Sequence, residues 1–312
     1  MTTATLEKPV KKEPRFGESL FTKSVRKFRR DRLGMASLSI VGVYAVIALC
    51  VKLGLFCSLD LTTTPVGPQH IAPGQTYQHI LADGKTEERV SWFGTDIRGN
   101  SVGRKLIYSI KQAFAIGIMV AFFSVLIGVV LGSISGYFGG RVDDFLLWVY
   151  TSMSSVPYIL WIIAISYAFG KGFLGVIVAL SSTFWVGVYF NIRAEVRRLK
   201  EMEYVLASES FGMTRMRIIF GDILPNMTHL ISIFLSLNFI AAIKNEVILA
   251  FLGLGIAGEP SWGGMISSAR LDLIAGKWWE VTGATILLFI LVMAFNLFTD
   301  SLQDAFDPKK VG

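Results

Sequence analysis

The sequence predicts an all-α, polytopic integral membrane protein with six transmembrane helices. Of its 312 residues, 53% are hydrophobic and only 17% are charged, whereas about a quarter of the residues of a soluble domain are charged. The apolar residues form continuous runs of about 20 residues or more, the length that crosses a bilayer. Because these runs do not alternate with polar residues, they exclude a β-barrel. The sequence has no repeat of fixed period, which excludes solenoids and propellers.

The order of the spans predicts the topology. The loop 193–226 and the turn 136–144 carry charge and are predicted to be cytoplasmic, whereas the turn 170–172 and the loop 255–277 are predicted to be external. An even number of crossings places both termini in the cytoplasm. The six spans are predicted at 33–56, 106–136, 143–169, 172–192, 227–253 and 281–303.

Tails and one long external segment complete the division of the chain. The basic tail 1–32 holds most of the net charge of +7, and positive charge beside an apolar run indicates a cytoplasmic side rather than nucleic-acid binding. Within it, residues 16–30 are predicted to form an amphipathic helix on the membrane surface. The segment 57–105 is predicted to be extracytoplasmic. A five-helix core follows at 106–303, and a cytoplasmic tail at 304–312.

No pattern in the chain indicates catalysis or a bound cofactor. The fragment 276–278 lacks the glycine-rich lead and the Ser or Thr of a phosphate-binding loop, so we expect no ATP hydrolysis by this chain. His70, His79 and His229 have neither the spacing nor the acidic neighbours of a metal site. We therefore expect a non-enzymatic protein without cofactor or metal.

The segment 201–226 is a polar island of helical character between two apolar spans. Its small residues Ala207, Ser208 and Gly212 lie within about one and a half helical turns, so that another surface can approach closely. Pro225 ends one helix or opens the next, because it lacks a backbone N–H. A connection of this length between helices indicates a function of its own.

Two features inside the apolar spans also stand out. Glycines at 128, 132 and 136 are spaced by four residues, which predicts close packing against another helix. Lys244 and Glu246 are charges within a span, and such charges need partners or water. Two positions apart on a helix, they point in different directions. They are candidates for the translocation path of a transporter or for a subunit interface, and we predict that Glu246 faces one of these.

Four phrases of the sequence together resemble a known family. The loop phrase Leu206-Ala207-Ser208, Gly212 and Leu224-Pro225 has the spacing of the EAA loop in membrane subunits of bacterial ABC importers. The sequence around this motif resembles that of the C-type permeases of dipeptide and oligopeptide importers. Further matching phrases lie at 93–96, 246–255 and 296–308. The chain departs from the usual family motif at two places, with Ser208-Glu209 in place of Ala-Arg and Gly221-Asp222 in place of Arg-His. Lys244 is not part of the family motif.

This resemblance implies a fold, partners and a role for the loop. It implies a MetI-like type I importer permease in the cell inner membrane, surrounded by lipid. The implied partners are a second, homologous permease, two cytoplasmic ATPases, an extracytoplasmic binding protein and a di- or oligopeptide substrate, with no nucleic acid. The loop within 193–226 then docks on the ATPases, and its implied docking residues are Glu203, Ala207, Ser208, Gly212, Leu224 and Pro225.

Other functions remain open from the sequence. Members of this branch also carry nickel chelates, sugars and peptide antibiotics. A self-contained channel or secondary transporter is the alternative from another class, although the repeats and broken helices typical of such carriers are not evident. A membrane scaffold that has lost coupling is a third alternative, suggested by Ser208, Glu209 and Asp222.

Overall fold

The computed structural model describes residues 20–55, 57–80 and 86–306. Helices dominate, and the elements follow in the order α1 (Leu20–Arg30), α2 (Arg32–Lys52), α3 (Leu59–Thr63), β1 (Gln75–Ile80), β2 (Thr86–Ser91), α4 (Val102–Phe138), α5 (Gly140–Ser154), α6 (Tyr158–Phe169), α7 (Phe173–Lys200), α8 (Glu203–Ser210), α9 (Arg215–Ile218), a π turn (Ile219–Ile223), a 3-10 turn (Leu224–Met227), α10 (Thr228–Phe251), α11 (Trp262–Ser268), α12 (Arg270–Ile274) and α13 (Trp279–Phe306).

Five helical runs in the described part of the chain are long and apolar enough to cross a membrane. They are α2, α4, α7, the run Arg215–Phe251 that ends in α10, and α13. The pair α5 and α6 supplies a sixth crossing if the two helices form one bent span. The predicted all-α, polytopic architecture is confirmed, and its strands are confined to one small hairpin between α3 and α4.

The span predicted at 143–169 consists of two helices, because the chain bends there by 90° between α5 and α6. The break falls at Ser155, Val156 and Pro157. Proline has no N–H for the helical ladder, and it disfavours helical geometry at the preceding residue. The bend therefore follows from Pro157.

Other helix ends also differ from the predicted span boundaries. α4 begins at Val102 rather than 106, and α7 continues to Lys200 rather than ending at 192. The last turn of α7 contains Arg197, Arg198 and Lys200, and cations at a helix C-terminus are stabilised by the helix dipole. Charge therefore marks the end of the apolar part of α7 without ending the helix.

The segment between α2 and α4 contains an antiparallel hairpin, in which Gln75 pairs with Ser91 and Ile80 with Thr86. We call the end of the bundle that carries it the hairpin end; α8 lies at the opposite end of α4. Of the amphipathic helix predicted at 16–30, the part from Leu20 is helical. Residues 1–19, with four of the ten cations of the basic tail, lie outside the described residues, as do 307–312.

Close packing of α4 on α7 forms the centre of the bundle. A Cβ on Gly128 would lie 2.5 Å from the Val188 Cβ, and one on Gly136 would lie 2.7 Å from the Arg193 carbonyl oxygen. Such distances leave no room for any side chain. The predicted role of these glycines in helix packing is confirmed, and the contact fixes the end of α7 from which α8 continues.

Candidate functional site

The segment 201–226 folds into a short surface helix followed by a tight turn. Residues 211–214 form this turn between α8 and α9. Gly212 has a φ of 74° there, a left-handed conformation that glycine adopts without strain. A Cβ on Gly212 would meet no atom within 4 Å. Within the single chain, backbone conformation rather than space therefore requires glycine at this position.

One apolar side chain anchors α8 to the bundle. Among the eight residues of α8, all of them described, Val205 is the one that is buried, and its exposed fraction is 0%. It packs in a cluster with side chains from α4, α7 and the turns after α9. In addition, the Tyr137 hydroxyl of α4 donates a hydrogen bond of 2.9 Å to the Glu209 carboxylate. A displacement of α8 is therefore transmitted to the ends of α4 and α7.

Large apolar side chains around this anchor are exposed. We call this set the apolar patch: its members are between 36 and 84% exposed and are Met202, Tyr204, Leu206, Phe211, Met213, Met216 and Phe220. Exposed Glu201, Glu203, Arg215 and Arg217 alternate with it. An apolar surface of this kind, mixed with both signs of charge, is typical of a contact with another protein.

The structure places all six predicted docking residues on or beside this surface. Four are exposed, Ser208 and Leu224 are half-buried, and Leu224 packs against the cluster around Val205. The Ser208 hydroxyl donates to the Tyr204 carbonyl oxygen of its own helix at 3.2 Å. Their roles in docking stay predictions. The exposed members are Glu203, Ala207, Gly212 and Pro225.

A charged network that the sequence analysis missed supports the base of this segment. Arg193 of α7 contacts Asp143 of α5 through two bonds, Nε to Oδ1 at 2.5 Å and Nη2 to Oδ2 at 2.6 Å. Ser135 of α4 donates to the same carboxylate at 2.5 Å, and its hydroxyl lies 2.8 Å from that of Tyr189. This set, the Asp143 network, joins three helices. Bidentate pairs of this kind are both strong and directional.

A cavity of about 830 Å³ lies where the α5–α6 bend faces α7 and α10. Its wall combines aromatic side chains, including Tyr158 and Trp161, with polar ones, including Thr183 and Asn238. A cavity of this size accommodates a small organic ligand. The bend at Pro157 lies on its wall, so the broken helix helps to shape it.

Lys244 and Glu246 occupy different environments in the structure. Lys244 is exposed and lies on the cavity wall. Glu246 is 5% exposed and lies inside the chain, where the Ser261 hydroxyl donates to its Oε1 at 2.8 Å. Two positions along a helix are separated by roughly 200° around its axis. The structure thus leaves Lys244 on a candidate path and places Glu246 in a contact between α10 and the start of α11, not on the cavity wall.

At the hairpin end, Lys105 lies between two carboxylates. Its Nζ is 3.0 Å from Asp96 Oδ2 and also contacts Glu280. Burial of Asp96 raises its pKa, but the Lys105 ammonium and the hydrogen bonds from Lys105, Asn100 and Arg98 outweigh burial and hold that pKa below its ordinary value. Among the described residues, no group of three or more His, Cys, Asp or Glu side chains is arranged to hold a metal ion.

Comparisons with known proteins give the context of these features. A profile described as binding-protein-dependent transport system inner membrane component matches residues 128–312. The dipeptide transport system permease protein DppC of Bacillus subtilis is 34% identical over 286 residues, which cover 91% of this chain and 84% of the relative. The oligopeptide transport system permease protein OppC of the same organism is 31% identical, with 93% and 90% covered.

The fold also resembles that of a solved transporter. A structure of the MetNI methionine ABC transporter in an inward-facing conformation aligns with a TM-score of 0.50 and 18% identity, covering 65% of this chain and 96% of that one. This likeness shows the fold, and the profile and the relatives together show that the chain is a membrane-spanning transport subunit. The chain belongs to the family of binding-protein-dependent transport system inner membrane components.

Proposed function

We propose that this chain is one of two permease subunits of an ATP-driven importer for di- or oligopeptides. Relatives that are named for dipeptide and oligopeptide transport cover nearly the whole chain. The second subunit is a homologous permease, and two cytoplasmic ATPases and an extracytoplasmic binding protein complete the importer. Both termini and the 201–226 segment lie on the cytoplasmic side in this arrangement.

The observation that carries the proposal is the apolar patch on α8. α8 is held to its own chain by Val205 and by one hydrogen bond from Tyr137, while Phe211 at its end is 84% exposed. A short helix that exposes apolar side chains, yet is firmly attached to α4 and α7, is suited to insertion into a cleft of a cytoplasmic ATPase. Four of the six predicted docking residues, Glu203, Ala207, Ser208 and Gly212, lie on this helix or in the turn that follows it.

The mechanism follows from these attachments. Closure of the ATPase pair moves α8 as a rigid body, and the Val205 cluster transmits that movement to the spans. The cavity beside the α5–α6 bend then opens alternately to the two sides of the membrane. Lys244 lies on the translocation path in this scheme. The chain itself supplies half of the path and a docking helix, and its partners hydrolyse ATP.

Purification from the native membrane in mild detergent tests the proposal. Mass spectrometry of every co-purifying chain and an assay of ATP hydrolysis are the measurements. We expect ATPases with phosphate-binding loops, a second permease of similar size and a binding protein, and ATP-driven uptake of labelled peptides after reconstitution. Recovery of this chain alone, or only with copies of itself, would contradict the proposal and favour a self-contained channel or carrier.

A further inference from the structure

Lys244 is a cation without a counter-charge. The wall of the 830 Å³ cavity contains no Asp or Glu, and Lys244 forms no ion pair with any residue that the structure describes. The nearest carboxylate in sequence, Glu246, is turned away and bonded to Ser261. The cavity therefore carries one positive charge that the described residues of the chain do not neutralise.

The surroundings of Lys244 strengthen the effect of this charge. It belongs to α10, which lies within an apolar run long enough to cross the membrane. An ammonium at such a depth is costly unless water or an anion accompanies it. In a cavity partly lined by apolar side chains, the field of a single charge is also screened less than at an open surface.

The amide next to Lys244 is buried and does not neutralise its charge. Asn245 also lines the cavity, and its Nδ2 donates to the Ala241 carbonyl oxygen at 2.9 Å. Its Oδ1 is buried without a hydrogen-bond partner among the described residues. A buried acceptor of this kind is costly when it remains unpaired. The accessible charged group that the cavity wall offers is therefore the Lys244 ammonium, which is complementary to a carboxylate.

We infer that Lys244 pairs with a carboxylate of the substrate in transit, so that the path favours peptides of negative net charge over peptides of positive net charge. This inference rests on the proposed function, because it assumes that the cavity is the translocation path. It adds a residue that sets charge selectivity within the membrane, separate from any preference of the binding protein.

The test uses the complete importer in proteoliposomes, with both permeases, the ATPases and the binding protein. ATP-driven uptake is measured for the tripeptides Ala-Glu-Ala, Ala-Gln-Ala and Ala-Lys-Ala, which share length and free termini but differ in net charge. The variants are Lys244→Met, which removes the charge, and Lys244→Glu, which reverses it. Lys171→Met is the matched control, because Lys171 is an exposed cation in the turn between α6 and α7, outside the cavity wall.

The binding protein is the same in every sample. Its preference among the peptides therefore cancels when uptake by each variant is divided by wild-type uptake of the same peptide. We expect Lys244→Met to reduce uptake of the acidic peptide relative to uptake of the basic one. Lys244→Glu should lower the ratio of acidic to basic peptide uptake by about tenfold or more. Lys171→Met should leave the ratio unchanged. The Gln peptide should lie between the other two.

Two results would overturn the inference. An unchanged ratio in Lys244→Glu would show that Lys244 does not meet the substrate. An equal loss for all three peptides, together with loss of the second permease on purification, would assign Lys244 to the subunit interface. Absence of ATP-driven uptake of any peptide by the wild-type importer is a different result, which would contradict the proposed function itself.

Discussion

The Asp143 network and the apolar patch are joined through α7 and are built in opposite ways. In the network, the carboxylate and guanidinium groups are paired within the chain, with side-chain exposures of 6% for Asp143 and 12% for Arg193. In the patch, large apolar side chains remain exposed in the described part of the chain, and Phe211 is 84% exposed. The charged groups of the first region are satisfied within the subunit, whereas we propose that a partner covers the second. Substitutions in the network should therefore reduce the stability of the subunit, and substitutions in the patch should reduce binding of the partner.

The largest effect is expected from Asp143→Asn. This change removes the negative charge from a buried pair and leaves the Arg193 guanidinium without its counter-ion, which costs about 3 kcal/mol or more of folding free energy. The midpoint of thermal unfolding of the purified subunit in detergent should fall clearly. Arg198→Ala is the control, because the Arg198–Glu195 pair is exposed by 60% and 21% and is worth at most about 1 kcal/mol. Equal shifts in both variants would refute a special role for the network.

A pair of substitutions in α8 compares its anchor with its surface. Val205→Ala leaves a cavity in the cluster around α8 and should cost the isolated subunit about 2 kcal/mol of stability. Phe211→Ala should leave that stability unchanged and weaken binding of the ATPases by roughly tenfold or more, as truncation of an interface aromatic typically does. Thermal unfolding and co-purification of the ATPases are the two measurements. Destabilisation of the isolated subunit by Phe211→Ala would contradict the assignment.

The difference between these regions was only partly predictable from sequence. Apolar spans are local features, so their order can be predicted from the sequence, and Pro157 is a local signal for the bend between α5 and α6. The end of α7 was placed too early, because Arg193 was interpreted as a loop residue. Its partner Asp143 lies 50 positions earlier, and no local pattern links them.

The candidate site shows the same limit. The docking residues came from the resemblance, and their common surface was implied by their closeness in sequence. The separation of Val205 from Phe211 into anchor and surface depends on which side of α8 meets α4 and α7. Likewise, Ser261 reaches Glu246 across a loop of 15 positions. Packing between distant segments decides these environments, and helical periodicity gives only the relative directions of side chains.

The turn after α8 allows a finer test of the patch. Gly212→Val should uncouple ATP hydrolysis from transport while the protein remains inserted, because a β-branched residue at a φ of 74° strains the turn by about 1–2 kcal/mol. Gly212→Asn should retain more transport, since asparagine tolerates this conformation. Peptide uptake and ATP hydrolysis are measured in the same vesicles. Wild-type uptake by Gly212→Val would show that the shape of this turn is not needed for coupling.

The smallest effect is expected at the side-chain hydrogen bond between α4 and α8. Tyr137→Phe removes the 2.9 Å bond to Glu209 but keeps the ring within the apolar cluster. A bond of this kind contributes about 1 kcal/mol, so α8 should open more often, and its amides should exchange with solvent roughly fivefold faster. Tyr204→Phe is the control, because the Tyr204 hydroxyl makes no hydrogen bond with the described residues.

Hydrogen exchange read by mass spectrometry separates α8 from α7 in both variants. Faster exchange confined to α8 in Tyr137→Phe would show that this bond holds the docking helix to the end of α4. Faster exchange in α7 as well would show that Tyr137 supports the base of the segment instead. In that case the part of the chain that is stable without a partner would include Val205. Only residues closer to Phe211 would depend on a partner.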